Sequence, residues 1–172
     1  MMRHIFLTGE KRIGKSTILQ KALRTYEKSV GGFYTVRTNE LLGNHYSVHL
    51  LRAGETPHIT EENFLFLCGE KDEMVEKRFD RIGCQALEDA QNCSLIVMDE
   101  LGPHEEKAEK FVAAVDELLN GEVPILGVLQ KTAGCCWPQI AAHPAVKILE
   151  ITKENRNDPQ ILDEIRTIMG KH

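Results

Sequence analysis

The sequence predicts an α/β fold in which a central, mainly parallel sheet is covered by helices on both faces. Three observations point to it. Short apolar runs alternate along the chain with segments whose apolar residues recur at the 3.6-residue helical period. One run, Leu95-Ile96-Val97-Met98, is apolar at four consecutive positions, the pattern of a strand buried on both faces. Between the first apolar run and the first helical segment lies a glycine-bracketed turn, Gly9-Glu10-Lys11-Arg12-Ile13-Gly14-Lys15-Ser16. Crossovers between parallel strands are expected to be right-handed.

Each element has its own signal. Residues 3–8 form a short apolar run that ends at Gly9 and reads as a buried strand. From Lys15 onward Ile18, Leu19, Ala22, Leu23 and Tyr26 mark one helical face. Gly31-Gly32 reads as a break, after which 33–37 and 45–51 read as two strands around a turn at Leu42-Gly43-Asn44. This hairpin is taken as an antiparallel extension of the sheet. Residues 57–66 have room for one or two short strands. Met74, Val75, Phe79, Ile82, Ala86, Leu87 and Ala90 mark a second helix, with Gly83 inside it at a cost of about 1 kcal/mol relative to Ala. The Leu95 run is followed by a third helix carrying Ala108, Phe111, Val112, Val115, Leu118 and Leu119, with Gly121 as its stop. Strands at 123–129 and 146–151 follow, and a last helix carries Ile161, Leu162, Ile165, Ile168 and Met169 behind Pro159.

Composition narrows the class. The chain has 172 residues, 42% of them hydrophobic and 27% charged, ordinary for a soluble globular protein, and the length suits a single domain over 1–172. The longest apolar runs fall far short of a membrane span, and the Met1-Met2-Arg3-His4 start with three apolar residues behind it does not read as a secretory signal. With 21 basic against 26 acidic residues, the net charge of −5 makes nucleic acid an unlikely partner and leaves a protein partner unknown. Cys68, Cys84, Cys93, Cys135 and Cys136 are odd in number and form no Cys-x-x-Cys pair, which favours reduced thiols in the cytoplasm over a disulfide framework or a zinc site. The adjacent Cys135-Cys136 reads either as a redox pair or as two small residues before Trp137-Pro138.

The Gly9–Ser16 stretch matches the phosphate-cradling pattern G-x-x-x-x-G-K-[ST]. Backbone N–H groups of such a loop wrap a phosphate chain, and the positive end of the following helix faces it. Gly9, Glu10, Lys11, Arg12, Ile13, Gly14, Lys15, Ser16 and Thr17 are therefore the candidate nucleotide-binding residues. Lys15 is expected on the β- and γ-phosphates, and Ser16 on Mg²⁺. The second piece is the Leu95 strand ending in Asp99-Glu100, the Walker B arrangement: Asp99 holds Mg²⁺ through water and Glu100 activates the attacking water. The implied ligand is a nucleoside triphosphate and the implied cofactor Mg²⁺.

Beyond these two motifs the chain resembles the thermophilic, or cancer-related, nucleoside-triphosphatase family. The resemblance runs through Leu7-Thr8-Gly9, Gly14-Lys15-Ser16-Thr17, Gly31-Gly32-Phe33-Tyr34-Thr35, Ile96-Val97-Met98-Asp99-Glu100-Leu101-Gly102-Pro103 and Thr152-Lys153-Glu154-Asn155-Arg156-Asn157, in order over nearly the whole chain. It implies a P-loop NTPase with a RecA-like core and slow, base-tolerant hydrolysis of nucleoside triphosphates to diphosphate and phosphate. It also places Arg37 near the nucleotide. Three departures stand out. Lys11 and Arg12 occupy positions usual for Pro and Gly, Gln130-Lys131 replaces a His followed by a basic residue, and His104-Glu105-Glu106 replaces a segment richer in Met, Glu and Leu.

Further candidates carry two readings each. Arg37 acts on the γ-phosphate or is a surface strand arginine. Lys131 senses the γ-phosphate or is solvated. Asn155 and Arg156, after the last strand, contact base or ribose, with Arg156 stacking flat on the base, or Asn155 caps a helix. His104 lies near the attacking water or is an exposed loop histidine. Trp137 shields a nucleotide or, as preferred, packs in the core. Two rivals to hydrolysis share the cradle. One is a nucleotide or small-molecule kinase, against which the absence of arginine in 53–72 argues. The other is a nucleotide-controlled binding module using a loop at 55–72.

Overall fold

The structure is a computed structural model that describes residues 2–131 and 137–170. In chain order the elements begin β1 (His4–Gly9), α1 (Lys15–Arg24), β2 (Val30–Thr38), β3 (Ser47–Arg52) and β4 (Phe64–Leu67). A helical run follows, made of α2 (Val75–Arg78), a π-helical turn (Phe79–Gly83) and α3 (Cys84–Leu87). Then come β5 (Leu95–Leu101), α4 (Glu109–Leu119), β6 (Ile125–Leu129), α5 (Pro138–Ala141), β7 (Val146–Ile151) and α6 (Pro159–Ile168). The seven strands form one sheet in the order β4-β3-β2-β5-β6-β1-β7. β2, β5, β6, β1 and β7 are parallel neighbours, while β3 runs antiparallel to both β2 and β4. This is the mainly parallel sheet with an antiparallel extension that the sequence predicts. β2 nevertheless belongs to the parallel part, and only β3 reverses direction.

Strand alternation divides the core into two layers. Ile5, Leu7, Leu95, Val97, Leu126 and Val128 pack with α1 and α6 through Ile18, Leu19, Ala22, Ile161 and Ile165. Phe6, Ile96, Met98 and Ile125 point the other way, onto Phe79, Ile82, Phe111, Val115 and Trp137. A strand with successive residues in opposite cores has no wet face, which is why the Leu95 run reads as apolar throughout. No helix among the described residues is long and apolar enough to cross a membrane.

The break expected at Gly31-Gly32 is not found: both residues lie inside β2. A Cβ on Gly32 would sit 2.0 Å from the carbonyl oxygen of Val97, and the residue has φ +98°, so glycine lets the backbones of β2 and β5 meet. Gly83 has the same kind of role between helices: its Cβ would lie 2.4 Å from the Phe111 ring, and its absence lets the α2–α3 run settle on α4. The second helix is thus a continuous run with a π turn at its centre, and Ala90 falls in a separate 3₁₀ turn. β5 extends past Met98 through Asp99 and Glu100 to Leu101, with a register slip against β6 between Asp99 and Leu101.

His4 ties β1 to the end of α4. It is fully buried, its Nε2 donates to the Leu119 carbonyl at 2.9 Å, and its Nδ1 accepts from the Ile125 N–H at 3.0 Å. The Ile125 bond requires an unprotonated Nδ1, so the ring is neutral. Burial lowers the His4 pKa below its ordinary 6.5, the bond to Leu119 opposes this, and the charges of Arg3 and His143 reinforce it.

Two outcomes follow. Gly32→Ala combines the unfavourable φ with an overlap that only strand separation relieves, and is expected to cost about 2–5 kcal/mol, read from urea midpoints. For His4, the unfolded chain binds a proton at a higher pH than the folded chain. Stability is then complete above pH 6.5 and falls as the pH drops from there toward the lower folded value. Urea unfolding between pH 7.5 and 5.5 is expected to show a loss on acidification that His4→Gln reduces.

Candidate functional site

The carboxyl ends of β1, β5, β6 and β2 open on one edge of the sheet, the usual ligand edge of an open α/β sheet. There the Gly9–Ser16 loop turns the chain from β1 into α1. Gly14 enters the helix with φ +114° and Arg12 has φ +60°, so the loop demands a left-handed residue where this chain carries an arginine. Ile13 is buried with Ile18 and Ile161 and pins the loop to the core. The first turn of α1 holds no acidic side chain, leaving its positive end clear for an anion.

Lys15, 6% exposed, folds back onto the loop, its Nζ donating to the carbonyls of Gly9 at 2.6 Å and Glu10 at 3.3 Å. Burial pulls its pKa down, while Glu100, Asp99 and Glu10 oppose that. The Ser16 hydroxyl donates to Asp99 Oδ1 at 3.1 Å, which joins the loop after β1 to the end of β5 across β6. Asp99 is buried and its pKa is pushed up to about 6, mainly by desolvation, with the Ser16 bond working the other way. Glu100 is half-buried and also raised by desolvation, against the pull of Lys15 and Lys11. A buried carboxylate short of charge compensation beside a hydroxyl is a set of hard oxygen donors, and it fits a small divalent cation such as Mg²⁺.

These groups border one cavity of about 950 Å³. Lys11, Arg12, Gly14, Lys15, Ser16, Thr17, Asp99, Glu100 and Arg37 all line it. Other predicted residues sit around it. Lys131 is bound by Glu150 at 3.0 Å and reaches Glu10 at 3.6 Å, on the outer side of the loop. Asn155 serves the turn after β7: its Oδ1 accepts from the Thr152 N–H at 2.7 Å and its Nδ2 donates to the Glu150 carbonyl at 2.8 Å. The helix cap that follows is Asp158, which accepts from the Gln160 N–H. Arg156 is exposed and reaches the Ile13 carbonyl at 3.5 Å, on the flank of β1 away from Glu100. His104 is exposed, lines the cavity and lies against Phe66 with ring centres 5.1 Å apart. Cys135-Cys136 lies outside the described residues.

Gly102, two residues after Glu100, is gripped by Trp137 and by Glu105, a residue to which the sequence assigns no role. The buried Glu105 carboxylate accepts from the Gly102 N–H, and the Trp137 indole N–H donates to the Gly102 carbonyl at 2.9 Å. Trp137 is fully buried with its ring edge-on to Phe111, the packing role preferred for it. Desolvation pushes the Glu105 pKa up to about 7. No spacing rule singles out Glu105, because its significance lies in where the turn folds it. Gln130 lines the cavity beside Gly102.

The family model described as NTPase matches residues 4–166. The nucleoside-triphosphatase THEP1 of Methanosarcina acetivorans is 30% identical over 162 residues, covering 91% of this chain and 92% of that protein. The cancer-related nucleoside-triphosphatase homolog of Bos taurus is 31% identical, covering 98% and 97%. The crystal structure of THEP1 from Aquifex aeolicus superposes with a TM-score of 0.71 at 20% identity over 98% of this chain and 99% of that one, a likeness of fold. The motif-bearing loop, the acid-ended strand and this similarity along almost the whole length agree: the chain belongs to the NTPase family.

Proposed function

We propose that the chain hydrolyses nucleoside 5′-triphosphates, ATP and GTP among them, to nucleoside diphosphate and phosphate, with Mg²⁺ as cofactor, slowly and with little preference for the base. The observation that supports it most directly is the convergence of Lys15, Ser16, Asp99 and Glu100 on one cavity at the mouth of the glycine-bracketed loop. The names of the related nucleoside-triphosphatases agree with it.

On this reading the phosphates lie along the loop N–H groups and the start of α1. Lys15 exchanges the Gly9 and Glu10 carbonyls for the β- and γ-phosphate oxygens. Ser16 and Asp99 hold Mg²⁺, which when bound draws charge from the phosphate oxygens. Glu100 orients a water in line with the γ-phosphorus and takes its proton, a role served by a carboxyl whose affinity for protons is raised by burial. Lys11 and Arg12 add positive charge at the loop. The base leaves the site on the Arg156 flank, where an exposed guanidinium offers a flat surface and little discrimination.

Low turnover follows from how the other cations are held. Arg37 donates through Nε to Cys68 Sγ at 3.4 Å and stacks on Tyr46, 4.3 Å from the ring centre, and Lys131 is engaged by Glu150 and Glu10. Supplying an arginine to the γ-phosphate is worth about 10³–10⁵ in rate where it occurs. A cytoplasmic location goes with this reading and is supported by the free thiols of Cys68, Cys84 and Cys93.

The test is phosphate release from a panel of NTPs and dNTPs with Mg²⁺ and no acceptor; no release from any of them would sink the assignment. Glu100→Gln is expected to lower kcat by about 10²–10⁴ with nucleotide affinity retained, in single-turnover and binding measurements. A normal rate in that variant would remove Glu100 from the mechanism. Arg12→Gly relieves the left-handed strain and removes a phosphate-facing charge. It is expected to keep or raise the melting temperature while KM for the nucleotide rises roughly fivefold, equivalent to about 1 kcal/mol.

A further inference from the structure

The cavity is wider than the nucleotide reading needs. Neighbouring strands are about 4.8 Å apart, so Glu100 at the end of β5 is two steps, roughly 10 Å, from the loop after β1, and β4 is five steps, roughly 24 Å, away. A triphosphate reaching from the loop to Glu100 occupies the first two steps, and its base lies on the opposite flank of β1, by Arg156. The same cavity continues past Glu100 to Arg37 on β2, Val48 on β3 and Phe66 on β4.

Those three residues are a built surface. Arg37 pairs with Val48 across β2–β3, and Val48 pairs with Phe66 across β3–β4, so the three stand in one row on one face. His104, from the turn after β5, lies against Phe66 with ring centres 5.1 Å apart at 41°. Val48 and Phe66 are half-buried and supply an apolar floor. The Arg37 guanidinium is held by Cys68 and Tyr46 through its Nε and its ring-facing side, and among the described residues its terminal nitrogens have no hydrogen-bond partner. A flat apolar surface beside a fork of free N–H donors matches a heteroaromatic ring with carbonyl or ring-nitrogen acceptors on its edge.

We propose that the Arg37–Val48–Phe66 row, closed by His104, is an acceptor subsite for a nucleoside, and that the γ-phosphoryl group passes to the nucleoside's hydroxyl in competition with water. The proposal rests on the nucleotide reading of the loop. The ring lies on Phe66 and His104 with its polar edge toward Arg37, and the sugar hydroxyl faces Glu100 from the side opposite the leaving diphosphate. The hydroxyl oxygen attacks the γ-phosphorus. The bond from that phosphorus to the β–γ bridging oxygen breaks, and its electron pair leaves with the nucleoside diphosphate. The hydroxyl proton goes to the Glu100 carboxylate. The products are a nucleoside diphosphate and a nucleoside monophosphate, and no other reactant is required.

The experiment uses the whole chain with the loop saturated by adenosine 5′-(β,γ-imido)triphosphate and Mg²⁺, titrated with adenosine by calorimetry, alongside γ-labelled ATP plus adenosine with product identification. Adenosine is expected to bind the analogue-saturated protein and to yield labelled adenosine monophosphate. Its affinity is expected to fall about tenfold or more in Phe66→Ala and measurably in His104→Ala, whose exposed position spares the fold. Absence of adenosine binding to the analogue-saturated protein, binding that both variants leave unchanged, or binding without labelled product would each overturn the proposal. Analogue binding and acceptor-free phosphate release report on the loop separately, so a failure of the nucleotide reading shows there and a failure of the acceptor subsite does not.

Discussion

β2 can lie beside β5 only because Gly32 brings no side chain to the Val97 carbonyl, and much of the site's geometry hangs on that approach. β5 carries Asp99 and Glu100, while β2 carries Thr35 and Arg37 and is the strand on which β3 and β4 are laid. Were β2 displaced by the width of a methyl group, the parallel part of the sheet would end at β5. The wall formed by Arg37, Val48 and Phe66 would then have no fixed relation to the loop after β1. A single close backbone contact thus couples the half of the sheet that carries the glycine-bracketed loop to the antiparallel half.

Charge is organised locally against the global sign. The chain carries a net −5, yet its loop gathers Lys11, Arg12 and Lys15 at the positive end of α1. Opposite them, Asp99, Glu100 and Glu105 are desolvated, and each is raised above its usual pKa range. Carboxyls in that condition are poised to accept a cation or a proton, which water-exposed carboxylates do only weakly. The Gly102 peptide, held through its N–H by Glu105 and through its carbonyl by Trp137, keeps the segment behind Glu100 in one place. Preorganisation of this kind is supplied by one side chain three residues on and another thirty-five residues on, and the loop motif carries no trace of it.

Legibility in the sequence followed the range of the interactions. The strand–loop–helix around Lys15 was readable because its signals are contiguous, and the acid-ended strand because burial on both faces leaves no polar position before Asp99. Gly31-Gly32 reads as a break, and Gly83 as a mere cost inside a helix, because a local rule sees only the backbone freedom of glycine and not the Val97 carbonyl that Gly32 admits or the Phe111 ring that Gly83 admits. Arg37 lines the cavity, but its partners Tyr46 and Cys68 come from the loop before β3 and the turn after β4. Asn155 and Lys131 sit beside the predicted site. Yet the structure shows them bonded to the β7 turn and to Glu150, which no spacing could reveal.

The sequence alone determined the fold class, the glycine-bracketed loop with its lysine and serine, and the acidic end of β5. Each depends on periodicity or on residues adjacent in the chain, so the physics is local. Tertiary structure decided how the strands are ordered, which face of the β2–β4 extension meets the loop, and which buried groups hold Gly102. Those outcomes turn on desolvation and on contacts between distant segments, whose energies exist only once the sheet has closed.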